Sequence, residues 1–268
     1  MWATAIEQQK GLNMDIRYIT CSDPRNHNTH DEMFDLWKMD PRVEIAVQMH
    51  PGKVSPDTER YKWIKQLVDK MSDDVTTKDV CNLAIHVNND WCDEICNGTV
   101  PVALQPLFNA DRFILQHITC LQPVVKRIQL NMPQKTAENF NAQKLKNLIE
   151  YYEDKEFIIQ YKPTTINAVQ QLHKIGANFS LLFDESGGTG RDAGVWRAPV
   201  YPYFHYQGYS GGMSPENVVE NLTKISRVAG AHTIWIDAEG KLKTDDKFDV
   251  NRAKQYITNA LAWEQNQK

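Results

Sequence analysis

The sequence has no apolar run approaching the roughly 18 residues of a membrane span, which argues against a membrane protein. It has no basic stripe either. Lys and Arg are scattered through a chain of formal net charge −4, and a non-specific nucleic-acid binder would cluster them. The opening MWATAIEQQKGLNMD shows no basic region followed by an apolar one, so no secretory signal is expected. No low-complexity tract or linker interrupts the 268 residues. Cysteine is scarce and odd in number: Cys21, Cys81, Cys92, Cys96 and Cys120. In a long chain with no expected signal, that argues for reduced thiols in a cytoplasm-like compartment. Cys92 and Cys96 stand one helical turn apart. A zinc site would need two further ligands that no second CxxC or HxxxH supplies. The pair therefore reads as two thiols on one helix face, and no metal is expected.

What is present is a composition that is 41% hydrophobic and 24% charged, suited to one folded domain with a sizeable core. Eight short β-rich runs can be read: IRYIT (16–20), EIAVQM (44–49), LAIHV (83–87), RIQLNM (127–132), EFIIQY (156–161), FSLLF (179–183), YFHYQGY (203–209) and HTIWID (232–237). Helix-like stretches lie between most of them, and FDVNRAKQYITNALAWEQ closes the chain. Ser55-Pro56 and Ser214-Pro215 have the form of an N-cap followed by a first-turn proline. Gly176 and Gly230 suit helix ends. Strands alternating with helices imply parallel pairing and right-handed crossovers. Eight such units have the size of a (β/α)8 TIM barrel, with an open doubly wound sheet as the alternative. Residues 1–14 read as an N-terminal extension and 15–268 as the barrel. The segment 99–126 has room for an extra helix.

A barrel places chemistry in the loops that follow the strands. Asp184 then follows the sixth run, Cys21 the first, His50 the second and Asn88 the third. Asn131 ends the fourth and Asp237 the eighth. The segment Gly187-Gly188-Thr189-Gly190, with Arg191 beside it, offers backbone N–H groups and a cation to a phosphate. Gly211-Gly212 stands just ahead of a helix start, where free N–H groups and the dipole favour an anion. Ordinary glycine turns explain either loop taken alone. Asp237 also reads as a structural carboxylate accepting loop N–H groups. His86 reads as a core or helix-facing residue. His27 and His30 lie in a polar first loop that reads as solvated, with a lid or metal site as the alternative. Trp196 reads as packing.

LLFDESGGTGRDAGVW, SGGMSPENV, RIQLN, IAVQMHPGKVSP and LAIHVNNDWCDEI together resemble, in order and spacing, the corresponding segments of phosphoribosylanthranilate isomerases over roughly residues 15 to 260. The resemblance implies a cofactor-independent Amadori rearrangement of a phosphoribosylamine to an aminoketose phosphate. It implies Asp184 as general acid and Cys21 as general base. The match around Cys21 lacks the family's flanking residues, which leaves Thr20 or Asp23 as alternatives for the base. It further implies Lys53, Asn131, Gly188, Thr189, Gly190, Arg191, Gly211, Gly212, Asp237 and Gly240 as substrate and phosphate contacts. Lys53 or His50 stands where the family has an Arg, and Asn131 where it has a His. Asp237-Ala238-Glu239-Gly240 replaces a serine-rich segment. The implied partner is a small phosphorylated sugar or ribosyl compound, with neither nucleic acid nor membrane. A binding barrel that has lost catalysis is an alternative reading. So is a lyase or glycosyl hydrolase using Asp184 with Asp237 or Glu239 as paired carboxylates.

Overall fold

The computed structural model describes residues 14–73, 81–109, 124–184, 194–200 and 206–267. Eight parallel strands close into a barrel in sequence order, with the first pairing the eighth. They are β1 (Asp15–Ser22), β2 (Val43–Met49), β3 (Asn82–Val87), β4 (Val125–Leu130), β5 (Glu156–Tyr161), β6 (Ser180–Asp184), β7 (Gln207–Ser210) and β8 (Thr233–Ala238). Each expected strand is present, shifted by no more than two residues at most ends. The exception is the start of β7, because 203–205 lie outside the described residues. The helices are α1 (His30–Trp37), α2 (Glu59–Asp73), α3 (Asn89–Cys96), α4 (Gln105–Phe108), α5 (Gln134–Asn139), α6 (Ala142–Tyr151), α7 (Ile166–Lys174), α8 (Val218–Ala229) and α9 (Val250–Gln265). The short α4 supplies the extra helix expected before β4. A small hairpin, β9 (Lys243–Thr244) with β10 (Lys247–Phe248), follows β8. Apart from Met14, which is buried, the proposed N-terminal extension lies outside the described residues. No helix among the described residues is long and apolar enough to cross a membrane.

Local chemistry sets the helix starts. Thr29 and Glu32 form a reciprocal capping box at α1, satisfying two otherwise orphaned N–H groups. Asp249 accepts from the backbone N–H of Asn251 and Arg252 at α9. Two expected caps act differently. Ser55 bonds Asp57, and it is the Thr58 hydroxyl that accepts from Tyr61 N–H at the head of α2. Ser214 opens a turn that precedes α8, its hydroxyl accepting from Asn217 N–H. In both, Pro at the second position starts a turn one step before the regular helix. Gly176, at φ +72°, ends α7 with its own N–H on His173 and that of Ala177 on Leu172, a Schellman closure that glycine allows without strain.

Side chains alternate across each strand. In β2, Ile45, Val47 and Met49 join the large core between barrel and helices, while Glu44, Ala46 and Gln48 lie inside the barrel. Among the described residues, the large apolar side chains inside are Ile158, Leu182 and Trp235, with Tyr18 and Tyr206 against them. Most of the other inward residues among those described are polar. Arg127 is fully buried, bonds Glu44 Oε1 at 2.8 Å, and lies 3.4 Å from Glu156 Oε2. Its guanidinium stacks 4.3 Å from the Trp235 ring and 4.5 Å from that of Tyr18, a desolvated cation–π geometry.

Trp235 fits only because β7 passes it at a glycine. A Cβ on Gly208 would stand 2.0 Å from Trp235 Cε2. Gly208→Ala is therefore expected to destabilise the barrel by about 1–3 kcal/mol or more, the cost of overpacking a filled core. Adding Trp235→Leu to that variant should recover part of the loss. Urea unfolding midpoints of the two variants and the wild type check this, and an unchanged midpoint in Gly208→Ala would refute the close approach.

Candidate functional site

The inward alternation brings polar residues from nearly every strand to the carboxyl end of the barrel. There they line an open cavity of about 590 Å³. Arg25, Lys53, Arg60, Lys162 and Lys241 face Asp23, Asp184, Asp237 and Glu239 across it.

Asp184 ends β6 and accepts from Gln160 Nε2 at 2.7 Å; Lys162 Nζ in turn donates to Gln160 Oε1 at 3.0 Å. Burial lowers the Lys162 ammonium, against the pull of the nearby Asp184 charge. Ser210 of β7 stands in register with Asp184 on one side and with Asp237 of β8 on the other. The two carboxyls thus sit on strands separated by β7. Asp237 accepts from Ser22 Oγ at 2.6 Å and is 7% exposed. Burial pushes its pKa from 3.8 to about 8, with the charges of Glu239, Glu44 and Asp184 adding to the rise and the Ser22 bond opposing it. It therefore carries a proton at neutral pH.

Asp23 adopts a left-handed φ of 71° and is 2% exposed. Its N–H bonds Ala46 O, and its carboxylate is held by Arg25, Arg60 and Lys243. Burial raises its pKa, but the Arg25 bond and the charges of Arg60 and Lys243 outweigh that and hold it below the usual range. A carboxylate so heavily paired is a weak base. Its evident work is to gather cations at the rim.

A chain of carboxamides crosses the floor. Asn88 Nδ2 donates to the Met49 and His86 carbonyls and to Gln48 Oε1. Gln48 Nε2 reaches His86 Nδ1 at 3.2 Å and Glu239 Oε2 at 2.9 Å. Asn131 Nδ2 donates to Asn88 Oδ1, and Gln129 Nε2 to Asn131 Oδ1. His86, expected in the core, instead lines the cavity. Burial, with the Arg127 charge, lowers its pKa to about 3.

After β7, Gly211 (φ 130°) and Gly212 (φ 66°) turn the chain into the Ser214 turn. Asn217 braces this loop through Gly212 O and Ser214 N–H. The N–H groups of Gly211, Gly212 and Met213 meet no acceptor among the described residues.

The residues expected from the sequence divide into three groups. Asp184, Asp237, Asn131, Gly211 and Gly212 meet at the cavity, with Lys53 and Gly240 on its exposed rim. Gly188, Thr189, Gly190 and Arg191 lie outside the described residues. Cys21 is elsewhere: it is fully buried in the layer under the helices and does not line the cavity. Its neighbours Thr20 and Ser22 take the inward positions, bonding Glu44 and Asp237. Burial pushes the Cys21 thiol up, with Asp237 and Glu44 adding, the opposite of what a thiolate base needs. Thr20 is likewise occupied below the cavity. Cys92 and Cys96 are both buried on α3, with Sγ atoms 3.9 Å apart. His27 and His30 reach the backbone carbonyls of Phe248 and Trp63. Trp196 packs edge-on against Tyr209. Sequence reasoning missed Arg25, Arg60, Gln48, Gln129, Gln160 and Lys162. For Gln48, Gln129, Gln160 and Lys162 the signal was the polar residues that recur on one face of EIAVQM, RIQLN and EFIIQYK; Arg25 and Arg60 lie outside those runs.

No protein-family model matches the chain, and no curated protein sequence matches it. Among solved structures, N-(5'-phosphoribosyl)anthranilate isomerase from Pyrococcus furiosus is similar at 12% identity and TM-score 0.43, covering 91% of this chain and 98% of that one. A citrate lyase from Burkholderia xenovorans is similar at 10% identity and TM-score 0.45, covering 92% and 78%. A GH30 endoxylanase from Clostridium papyrosolvens is similar at 9% identity and TM-score 0.41, covering 95% and 72%. Likenesses this distant carry no argument about activity, and the barrel stands on its own strand register.

Asp237 also marks the stability profile. Between pH 3.8 and about 8 the folded protein keeps a proton on Asp237 that the unfolded chain has lost. Its contribution to stability therefore falls as pH rises through that window and levels off above it. Asp237→Asn removes this penalty and keeps an acceptor for Ser22. The variant is expected to gain on the wild type progressively from pH 4 to pH 8, by on the order of a few kcal/mol at the upper end. Chemical denaturation at several pH values reads the gap, and a gap that does not change with pH rules out the raised pKa.

Proposed function

We propose that this chain is a cofactor-independent acid–base isomerase acting on a phosphorylated sugar or ribosylamine, with Asp237 as the acid and Asp184 as the base. The observation that carries the reading is the carboxyl pair across Ser210, one member of which holds its proton at neutral pH. A carboxyl that burial keeps protonated at pH 7 is the acid that such chemistry needs. The N–H groups of Gly211, Gly212 and Met213, which meet no acceptor among the described residues, suit a phosphate. With Asp237 protonated, cations outnumber anions on the cavity wall, which favours an anionic ligand.

For a phosphoribosylamine the steps balance. Asp237 gives its proton to the ring oxygen as the C1–O bond breaks and the amine lone pair forms the C1 iminium. Asp184 removes the C2 proton, and those electrons neutralise the iminium to give an enolamine. Asp184 then returns its proton to C1 while Asp237 takes back the O2 proton, leaving the aminoketose. The iminium is the electron sink, so the reaction calls for no cofactor. The roles implied by resemblance thus shift: Asp184 passes from acid to base, and Cys21 has no part.

Turnover of N-(5'-phosphoribosyl)anthranilate and related ribosylamines, followed by product appearance, tests this. Asp184→Asn and Asp237→Asn should each lower kcat by about 10²–10⁴-fold, while Cys21→Ala stays within a few-fold of wild type. Wild-type activity should decline as pH rises past about 8, where Asp237 loses its proton. Tight binding without conversion across the panel would instead favour a binding barrel.

A further inference from the structure

The carboxamide chain around His86 has only one consistent orientation. Asn88 Nδ2 is fixed as a donor by two backbone carbonyls, Met49 O at 3.2 Å and His86 O at 3.1 Å. Its contact with Gln48 therefore makes that atom Oε1, an acceptor, and turns Gln48 Nε2 toward His86 Nδ1. On the other side Asn88 Oδ1 must accept from Asn131 Nδ2. Asn131 Oδ1 then accepts from Gln129 Nε2, which also lies 3.5 Å from His86 Nδ1. Two N–H donors so converge on one ring nitrogen. Nδ1 must offer its lone pair, and the proton must sit on Nε2. An imidazolium would set a third N–H against those two. The Glu239 carboxylate, accepting from the same Gln48 Nε2 at 2.9 Å, holds the orientation from the rim. Nε2 itself has no partner among the described residues, and His86 lines the cavity.

We propose that His86 is a catalytic hydrogen-bond donor: a permanently neutral imidazole whose Nε2–H holds and polarises a substrate oxygen on the cavity floor. A ring so fixed cannot serve as general base. A preorganised neutral donor instead stabilises the charge that develops on a carbonyl or enol oxygen, the part a neutral imidazole plays in other isomerases. On the reading given above, the oxygen at C2 of a sugar phosphate is the matching group, and this part of the proposal rests on that reading. The carboxamides act through His86 and are positioning residues: their work is to choose its tautomer.

Long-range ¹H–¹⁵N correlation on full-length protein labelled with [¹⁵N]histidine reads the tautomer directly, with the His86 signals assigned by their loss in His86→Gln. The expected result is a proton on Nε2 and a bare Nδ1, unchanged from pH 8 to pH 5, with the Nε2 resonance moving on addition of ribose 5-phosphate. A proton on Nδ1, or protonation of the ring within that range, overturns the proposal. In a second, uniformly ¹⁵N-labelled sample, ribose 5-phosphate that shifts the amides of Gly211, Gly212 and Met213 but leaves Nε2 unmoved overturns the donor role while the sugar-phosphate reading stands. A ligand that moves nothing overturns that reading, and the donor role with it.

Discussion

Closure of a parallel sheet into a barrel puts every second side chain into a space without bulk water, and the rest of this molecule follows from that. Most barrels meet the constraint with branched apolar residues. This one meets it with charge. Arg127, stacked between aromatic rings and paired with Glu44 and Glu156, fills the amino-terminal part of the interior. Among the described residues, Ile158, Leu182 and Trp235 form a small apolar group inside the barrel. Such an arrangement gives little net stability, because desolvating ions costs about what their attraction returns. It does make each inner position depend on its neighbours. Gly208 must be small because Trp235 is large, and Trp235 lies where Arg127 needs a ring face.

The same dry interior tunes the mouth. Asp237 stands above Glu44 and beside Glu239 and Asp184, so burial and like charge together keep it protonated. His86, near Arg127 and away from water, is kept neutral by the same two causes with the opposite sign of charge. Asp23 shows the contrasting outcome. It is also buried, but three cations hold it ionised. Two carboxyls thus take opposite protonation states, and a histidine is held neutral, from position alone.

The architecture was legible because its signal is local. Short β-rich runs spaced by amphipathic helices, with glycines and capping residues between them, point to alternating parallel units, and all eight strands lie where those runs fall. Asp184, Asp237, Asn131, Gly211 and Gly212 were legible as strand-end residues. Cys21 was not, because one residue of register separates the mouth from the helix-facing layer. Ser22 reaches Asp237 and Thr20 reaches Glu44, so the thiol between them faces outward. The rim cations were missed for a different reason. Arg60 lies within a helical segment and Lys243 beyond the last barrel strand, and only the fold brings both to Asp23.

Period and punctuation in the sequence determined the barrel, the order of its strands and which loops would share one end, since these depend on hydrogen-bonding and burial patterns that each segment carries by itself. The tertiary structure alone decided which side of each strand faces in, which carboxyl keeps its proton and which nitrogen of His86 carries one. Those are properties of a shared, water-poor space, and a residue's place in the chain does not reveal the neighbours that will occupy it.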